Sequence, residues 1–236
     1  MSLIKPKRRR GPRMLWLILV PIFIVVALGL YVYLTMNGVN NSNEVKARYV
    51  DYLFYLEEPG GGSYYYLLTS NDGRSSLVTF PVYSTIENSK EVLDPQLEAS
   101  AIKLIQSWLN TSGDYSYFVR LSDTLLANLS ESLGIKASNA VQLIDGMAVR
   151  GFKLLDYWKL GGFSKVIKEF NPSTTITPKG MAVLLKRLST SSRIAYQVET
   201  LTQYPLKIKV GVTGESVNRL YIKTDSIESV KKALAR

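Results

Sequence analysis

The 236-residue chain contains no histidine and no cysteine, and this composition limits the chemistry that it can perform. Disulfides, zinc sites of the usual kind, and Cys-His, Ser-His-Asp and other histidine-based mechanisms are excluded. Any reaction has to use carboxylates, lysine, arginine, tyrosine or a hard cation such as Mg²⁺. Candidate site residues are therefore limited to these types.

Two lysines, Lys165 and Lys168, are three residues apart in a segment, 161–170, that is predicted to be a helix. This spacing places both side chains on one face near the predicted start of the helix, where free N–H groups favour anions. The pair is a candidate for binding a phosphate or a lipid headgroup. The alternative is a solvated helix face.

Three consecutive tyrosines, Tyr64, Tyr65 and Tyr66, form a second candidate group. They could line an apolar groove for a prenyl tail, because ligand grooves are mostly apolar. The alternative is that they belong to the core of a β-sheet.

The acidic residues nearest these groups do not form a clear metal site. Asp145 precedes Gly146 and is expected to cap a turn. Asp156 and Glu169 could hold a cation together only if the fold brings them close, so we predict no metal site and no cofactor. A further basic group could face an anionic polymer or be a solvated surface; it comprises Lys207, Lys209, Lys231 and Lys232.

Residues 14–34 form a stretch of 21 residues without a charged side chain. As a helix with ~1.5 Å rise per residue it is about 31 Å long, which matches a bilayer core of ~30 Å. The stretch exceeds the ~7–15 apolar residues of a signal peptide, and no small-residue cleavage site follows it. The sequence therefore predicts one uncleaved transmembrane helix.

Six basic residues and no acidic residue precede this stretch. Under the positive-inside rule they predict that residues 1–13 are cytoplasmic and that the rest of the chain is extracytoplasmic, at the cell membrane. Beside a hydrophobic helix such a cluster does not indicate nucleic-acid binding, and we expect no nucleic-acid partner. The six residues are Lys5, Lys7, Arg8, Arg9, Arg10 and Arg13.

The external part is predicted to begin with a juxtamembrane linker and lead-in, residues 35–62, followed by one domain, residues 63–236. Two β-rich runs, 63–70 and 75–80, flank the hairpin turn signal Asn71-Asp72-Gly73. The first run is apolar on both faces and is therefore expected to be a central strand.

Strands and helices alternate along the rest of the chain. Strands are predicted over 115–121, 206–212 and 219–222. Helices are predicted from Ser122 to Gly134, over 161–170 and 178–188, and from Asp225 onward. This interleaving predicts a three-layer α/β/α domain.

The order of these elements resembles the LytR-CpsA-Psr family of cell-envelope proteins. In that family a hairpin begins with Asp-Ser and ends in Pro-Arg-Asp, where this chain has GSYYYL at 62–67 and TFPVY at 79–83. A Leu-Asp-Gly turn, a Tyr-Val-Arg-x-Arg strand and a Gly-Asp-Phe-x-Arg-x-x-Arg helix start follow in the family. This chain keeps their spacing with IDG at 144–146, FKLLD at 152–156 and GGFSKVIKEF at 161–170. The resemblance is good over residues 63–170 and loose beyond them.

The resemblance implies a domain that transfers glycopolymers from a polyprenyl-phosphate lipid to the cell wall with a divalent cation. The charged positions of the family are not kept, apart from Lys165 and Lys168. Because phosphoryl transfer depends on positioning and charge stabilisation, their loss should remove most of the rate. The cation-holding Asp positions are Gly62, Tyr83 and Gly162, and the pyrophosphate-binding Arg positions are Val82, Leu154 and Asp156.

We therefore expect a membrane-anchored cell-envelope protein with a degenerate, non-catalytic domain that binds a lipid-linked glycan, a prenyl lipid or an envelope partner protein. The alternative is an active phosphotransferase that moves glycopolymers from polyprenyl pyrophosphate to the cell wall, and only this alternative requires Mg²⁺. A third hypothesis is an interaction subunit in which tyrosines fill the groove of the family.

Overall fold

Two sheets organise the domain in the computed structural model, which describes residues 13–57, 63–71, 73–87, 89–172, 174–210 and 214–235. The strands are β1 (Val50–Glu57), β2 (Ser63–Asn71), β3 (Arg74–Pro81), β4 (Ser84–Thr85), β5 (Tyr115–Leu121), β6 (Ser192–Gln197), β7 (Thr200–Val210) and β8 (Glu215–Ile222). The central sheet has the order β5-β1-β2-β3-β6, and the smaller sheet has the order β4-β8-β7.

The predicted hairpin is confirmed as β2 and β3, which pair antiparallel with Tyr64 opposite Pro81 and Asn71 opposite Arg74. β2 is the middle strand of the central sheet and is buried over most of its length, as its apolar sequence on both faces requires. At the two edges of the sheet, β5 pairs in parallel with β1 and β6 pairs in parallel with β3.

Helices cover both faces of the central sheet, which confirms the three-layer α/β prediction. They are α1 (Arg13–Asn40), α2 (Asn43–Lys46), α3 (Glu98–Leu109), α4 (Asp123–Leu133), α5 (Ala140–Arg150), α6 (Asp156–Phe170), α7 (Pro178–Thr190) and α8 (Thr224–Leu234). The buried stripes of α4 to α7 pack on one face of the sheet. Those of α3 and α8 pack on the other face.

Several helix ends follow directly from the sequence. The Ser122 hydroxyl accepts a hydrogen bond from the N–H of Leu125 at 3.2 Å, and Gly134 ends α4 in the left-handed region at φ 68°. Thr177 caps α7 in the same way, and Pro178 occupies its first turn. These ends were predicted, because they depend on local side chain to backbone bonds.

The predicted linker is the clearest difference between expectation and structure. α1 covers the predicted span and continues to Asn40, although residues 35–40 were expected to belong to a linker. The side chain of Val39, near the end of α1, is buried in the domain core. β1, which falls within the predicted lead-in, lies in the central sheet between β2 and β5. The domain therefore begins well before residue 63. Apart from Arg13, the predicted cytoplasmic tail lies outside the described residues.

α1 is the one helix in the described part of the chain that is long and apolar enough to cross a membrane, over Trp16–Asn40. Its apolar side chains from Trp16 to Leu34 are mostly exposed. A helix that is apolar all round and not covered by protein is typical of a membrane span.

α7 approaches the sheet closely at Gly180, in its first turn. A Cβ on Gly180 would lie 2.7 Å from the ring of Tyr117, which stacks on Tyr52 with ring centres 5.4 Å apart. The Tyr52 hydroxyl donates a 2.7 Å hydrogen bond to the carbonyl of Gly180. Burial raises the pKa of Tyr52 well above 10, which keeps this hydroxyl a neutral donor.

We expect Gly180→Ala to destabilise the chain by about 1–3 kcal/mol, because the added methyl group has to displace the packed Tyr117 ring. The measurement is thermal unfolding of the detergent-solubilised full chain, followed by circular dichroism. Gly161→Ala is the matched control: Gly161 is an exposed position of α6 where an added Cβ meets nothing within 4 Å. There the better helix propensity should raise stability by about 0.5–1 kcal/mol. Equal effects of the two substitutions would contradict the close-packing argument.

Candidate functional site

The open end of the β2–β3 hairpin forms a groove at the edge of the central sheet where β1, β3 and β5 end. We call this the hairpin groove, of about 640 Å³. The β7–β8 ribbon supplies its second wall. Its lining residues are Ser63, Tyr64, Pro81, Val82, Tyr83, Lys207, Ser216, Val217, Asn218 and Leu220.

A second groove of about 760 Å³ lies on the other face of the β7–β8 ribbon, against α3 and the segment before it. We call it the basic groove, because four of its lining side chains are cationic: Lys90, Lys103, Lys209 and Arg219. Glu91 and Asp94 are its acidic members. Asp94 is buried and accepts a hydrogen bond from the N–H of Gln96 at 2.9 Å, so its carboxylate is engaged within the protein.

The side chain of Arg219 is only partly engaged. Its Nη2 is 3.4 Å from the carbonyl oxygen of Lys90. Its Nε is buried, and within the described ranges it finds no hydrogen-bond acceptor. A buried donor without a partner is costly, so the guanidinium of Arg219 is incompletely paired within the described part of the protein.

The three tyrosines are separated by the alternation of β2. Tyr65 is fully buried in the α3–α8 core, and its hydroxyl donates to the carbonyl of Asp94 at 3.1 Å. Tyr66 is buried in the opposite core, and only the partly buried Tyr64 lines a groove. The expectation of an apolar groove made by all three is therefore wrong for Tyr65 and Tyr66, because neighbouring residues of a central strand point into different cores.

Tyr83 holds the position where the resembling family has an Asp, and its backbone is in the left-handed region at φ 58°. This conformation is unfavourable for a residue with a side chain. Two backbone hydrogen bonds hold it: its N–H donates to Leu93 and its carbonyl accepts from Leu220, at 2.8 and 3.0 Å. The aromatic side chain is thus fixed at the wall of the hairpin groove.

Lys165 and Lys168 lie exposed in the second half of α6 and line neither groove. α6 begins at Asp156, five residues before the predicted start, and Lys168 is in its last turn. The expected help from a helix amino terminus is therefore absent. Whether the two side chains bind phosphate stays a prediction.

The acidic candidates are engaged elsewhere or far apart. Asp145 does not cap a turn but lies inside α5, where it forms an ion pair with Arg193. Asp156 and Glu169 are at opposite ends of α6, about 20 Å apart at ~1.5 Å per residue, so they cannot share a cation. The hairpin groove has no carboxylate among its described lining residues, and no cluster of three acidic residues occurs in the described part of the chain. The described residues that line the hairpin groove therefore offer no carboxylate ligand to Mg²⁺.

Asp156 is instead the centre of a buried ion pair. Arg150 donates from both terminal nitrogens to its carboxylate, at 2.6 and 2.7 Å, and the N–H of Lys153 donates at 2.6 Å. Arg150 also donates to the carbonyl of Leu133 at 2.5 Å. Burial acts to raise the pKa of Asp156, but the bonds from Arg150 and Lys153 outweigh it and hold that pKa below 3.8.

Sequence reasoning missed Lys90, Lys103 and Arg219, which come from three separate parts of the chain. No local pattern joins them, since the basic groove forms only when α3 and the small sheet pack together. Lys207 and Lys209, which the sequence grouped with a basic tail, line the two grooves. Lys231 pairs with Glu228 at 2.6 Å on α8.

The fold and these grooves define a three-layer α/β domain with a polar cleft region, carried on a helix able to cross a membrane. No protein-family model matches the chain, and no curated protein matches its sequence.

Several solved structures have a similar fold, at low sequence identity to this chain. One is the transcriptional regulator yvhJ from Bacillus subtilis, with 12% identity, a TM-score of 0.46 and coverage of 79% of this chain and 95% of that one. Another is the LytR-CPS2A-psr family protein YwtF (TagT) with bound octaprenyl pyrophosphate lipid, with 14% identity, a TM-score of 0.46 and coverage of 82% and 91%. A third is TagU of B. subtilis, with 10% identity, a TM-score of 0.43 and coverage of 79% and 95%. The family that the sequence resembles is thus represented among these structures, and the similarity assigns no residue a role.

We expect Asp156→Asn to destabilise the chain by about 3 kcal/mol at neutral pH, because it leaves the buried Arg150 guanidinium without its counter-charge. The pKa of Asp156 is lower in the folded than in the unfolded chain, so the pair stabilises fully above pH 3.8 and loses its effect as the pH falls through the folded value. Urea unfolding between pH 7 and pH 2 should therefore show a steeper acid loss for the parent chain than for the variant.

Glu199→Gln is the control for this prediction, since Glu199 forms an exposed ion pair with Lys223 at 2.7 Å. Exposed pairs contribute little, so this variant should unfold like the parent chain. A parallel acid dependence of the parent chain and Asp156→Asn would show that the buried pair does not stabilise the fold.

Proposed function

We propose that this chain is a membrane-anchored, extracytoplasmic cell-envelope protein that binds the anionic part of a lipid-linked glycan and does not transfer it. The observation that carries the proposal is the convergence of Lys90, Lys103, Lys209 and Arg219 on one groove. Four cations around a common space favour a polyanion, and the guanidinium of Arg219, which is incompletely paired within the described structure, lies among them.

Binding without transfer is supported by the hairpin groove. At the positions that match the charged motif of the resembling family, this groove has Val82 and the fixed ring of Tyr83. Phosphoryl transfer needs metal ions and cations placed on the reacting group, and neither residue supplies charge. The two grooves together are suited to holding a charged polymer and not to activating it.

The orientation of the domain is supported by charge. The six basic residues before the apolar stretch favour a cytoplasmic amino terminus, which places both grooves on the outer side of the cell membrane. A lipid-linked glycan presents its charged part on that side.

The position of the grooves favours the glycan over the prenyl chain as the bound part. β1 begins close to the end of α1, and the hairpin groove lies where β1 ends, seven residues after its start. At ~3.3 Å per residue the two ends of this strand are about 23 Å apart. A ligand with a long polar portion spans this distance more readily than a membrane-embedded tail.

The binding test uses the full chain in nanodiscs and a fluorescent poly(glycerol phosphate) oligomer as a probe for anionic glycopolymers, followed by anisotropy. We expect binding that weakens with added salt, and Arg219→Gln should weaken it about tenfold, the equivalent of about 1.4 kcal/mol. Lys231→Gln, on α8 outside both grooves, is the matched control and should bind like the parent chain. Absence of binding, or the same loss in both variants, would contradict the proposal. Binding of farnesyl pyrophosphate without the polymer would point to the lipid headgroup as the ligand.

Catalysis is tested by incubating the full chain with a polyprenyl pyrophosphate and Mg²⁺. We expect no release of phosphate, since the described residues that line the hairpin groove include no carboxylate to hold the cation. Turnover that Lys165→Ala abolishes would support the phosphotransferase alternative and assign Lys165 to its site.

A further inference from the structure

An exposed apolar surface lies where α5 ends and α6 begins, on the side of the domain that carries α1. Its four members, which we call the α5–α6 patch, are Val149, Leu154, Leu155 and Trp158. They are 90%, 64%, 64% and 46% exposed. Single exposed apolar side chains are ordinary, whereas several large ones within ten residues indicate a contact surface.

The segment that carries the patch is held in place by buried bonds. Asp156 accepts hydrogen bonds from Arg150 and from the N–H of Lys153, which closes the turn between the two helices. The ring of Phe152 packs edge-on against Tyr157 at 4.8 Å. Leu154 and Leu155 are therefore presented outward by a fixed turn and are not free to fold into the core.

The patch is next to the outer end of α1. The hydroxyl of Tyr157, which lies two residues after Leu155 and directly before Trp158, is hydrogen-bonded to the side chain of Asn40. Val32 and Met36 of α1 also pack against the domain core. The first turn of α6 and the last turns of α1 are thus in direct contact.

Aromatic residues indicate the depth of the bilayer along α1, because tryptophan and tyrosine prefer its interfaces. Trp16 is exposed near one end, and Tyr31 and Tyr33 are exposed 15 and 17 residues later, or about 23–26 Å along the helix. Asn40 lies seven residues beyond Tyr33, about 10 Å further. The contact between Asn40 and Tyr157 consequently places the patch near the outer interface.

We propose that the α5–α6 patch inserts into the headgroup boundary of the same membrane that α1 crosses and gives the domain a second membrane contact. The exposed Lys153 and Lys159 flank the apolar side chains and are suited to anionic lipid headgroups. Two points of attachment prevent rotation of the domain about the axis of α1. The inference rests on the proposal that α1 spans a membrane, and the experiment tests that separately.

The absence of native cysteine allows single labelling sites. Leu155→Cys in the full chain carries an environment-sensitive fluorophore, and the chain is placed in nanodiscs of phosphatidylcholine with phosphatidylglycerol. We expect brominated acyl chains to quench this label strongly and aqueous iodide to quench it weakly. Val149→Cys should give an independent reading with the same result.

Leu206→Cys is the matched control, because Leu206 is a leucine of similar exposure, 56%, on the distant strand β7. Its label should be quenched by iodide and not by lipid. Ile24→Cys, in the middle of the apolar part of α1, reports whether the anchor is in lipid.

Lipid quenching at residues 24 and 155 supports the inference. If lipid quenches the label at residue 24 but the label at residue 155 behaves like the one at residue 206, the inference is overturned and the anchor remains supported. A label at 155 that is shielded from lipid and iodide alike overturns it in favour of a protein partner or a second copy. No lipid quenching at residue 24 removes the anchor and the inference together.

Discussion

A buried guanidinium fixes the point at which the apolar helix joins the domain. Arg187 of α7 is only 6% exposed, and it donates to the carbonyls of Ala47, Arg48 and Ser70. Ala47 directly follows α2, Arg48 lies two residues before β1, and Ser70 is near the end of β2. Because a buried charge is very unfavourable without hydrogen bonds, the three segments have to stay where the guanidinium can reach them.

This constraint makes the end of the apolar helix α1 part of the domain. The neighbouring Lys186 donates to the side chain of Asn40 at 3.0 Å, and Val39 is buried in the core. α1 therefore continues into a contact with α6 and α7, where the sequence alone suggested a polar linker. A domain fixed in this way keeps its grooves at a set distance from the helix, which matters for any ligand that is itself held in a membrane.

The elements that could be predicted from the sequence are those determined by neighbouring residues. The hairpin, the end of α4 at Gly134 and the start of α7 depend on turn residues and caps, which can be recognised directly in the sequence. The end of α1 depends on contacts between distant residues, such as Asn40 with Lys186.

The role of Gly146 also could not be predicted from the sequence. It reads as a turn residue, yet it lies inside α5, where a Cβ would be only 3.0 Å from the side chain of Ile135. A glycine selected for close packing is indistinguishable in sequence from one selected for a turn. The basic groove could not be predicted either, because its cations meet only after α3 and the β7–β8 ribbon have packed.

The distribution of charge connects the fold to the proposed function. Asp156, at a position where the resembling family has an arginine, forms a buried pair with Arg150 that shapes the turn before α6. Four other cations lie around the basic groove, separated by the β7–β8 ribbon from the hairpin groove with its fixed Tyr83. Transfer requires opposite charges and a metal at one reacting atom, whereas retention requires only cations spread along a surface. Four cations spread around the basic groove are what retention would require, and this is the physical basis of our proposal that the groove holds an anionic polymer.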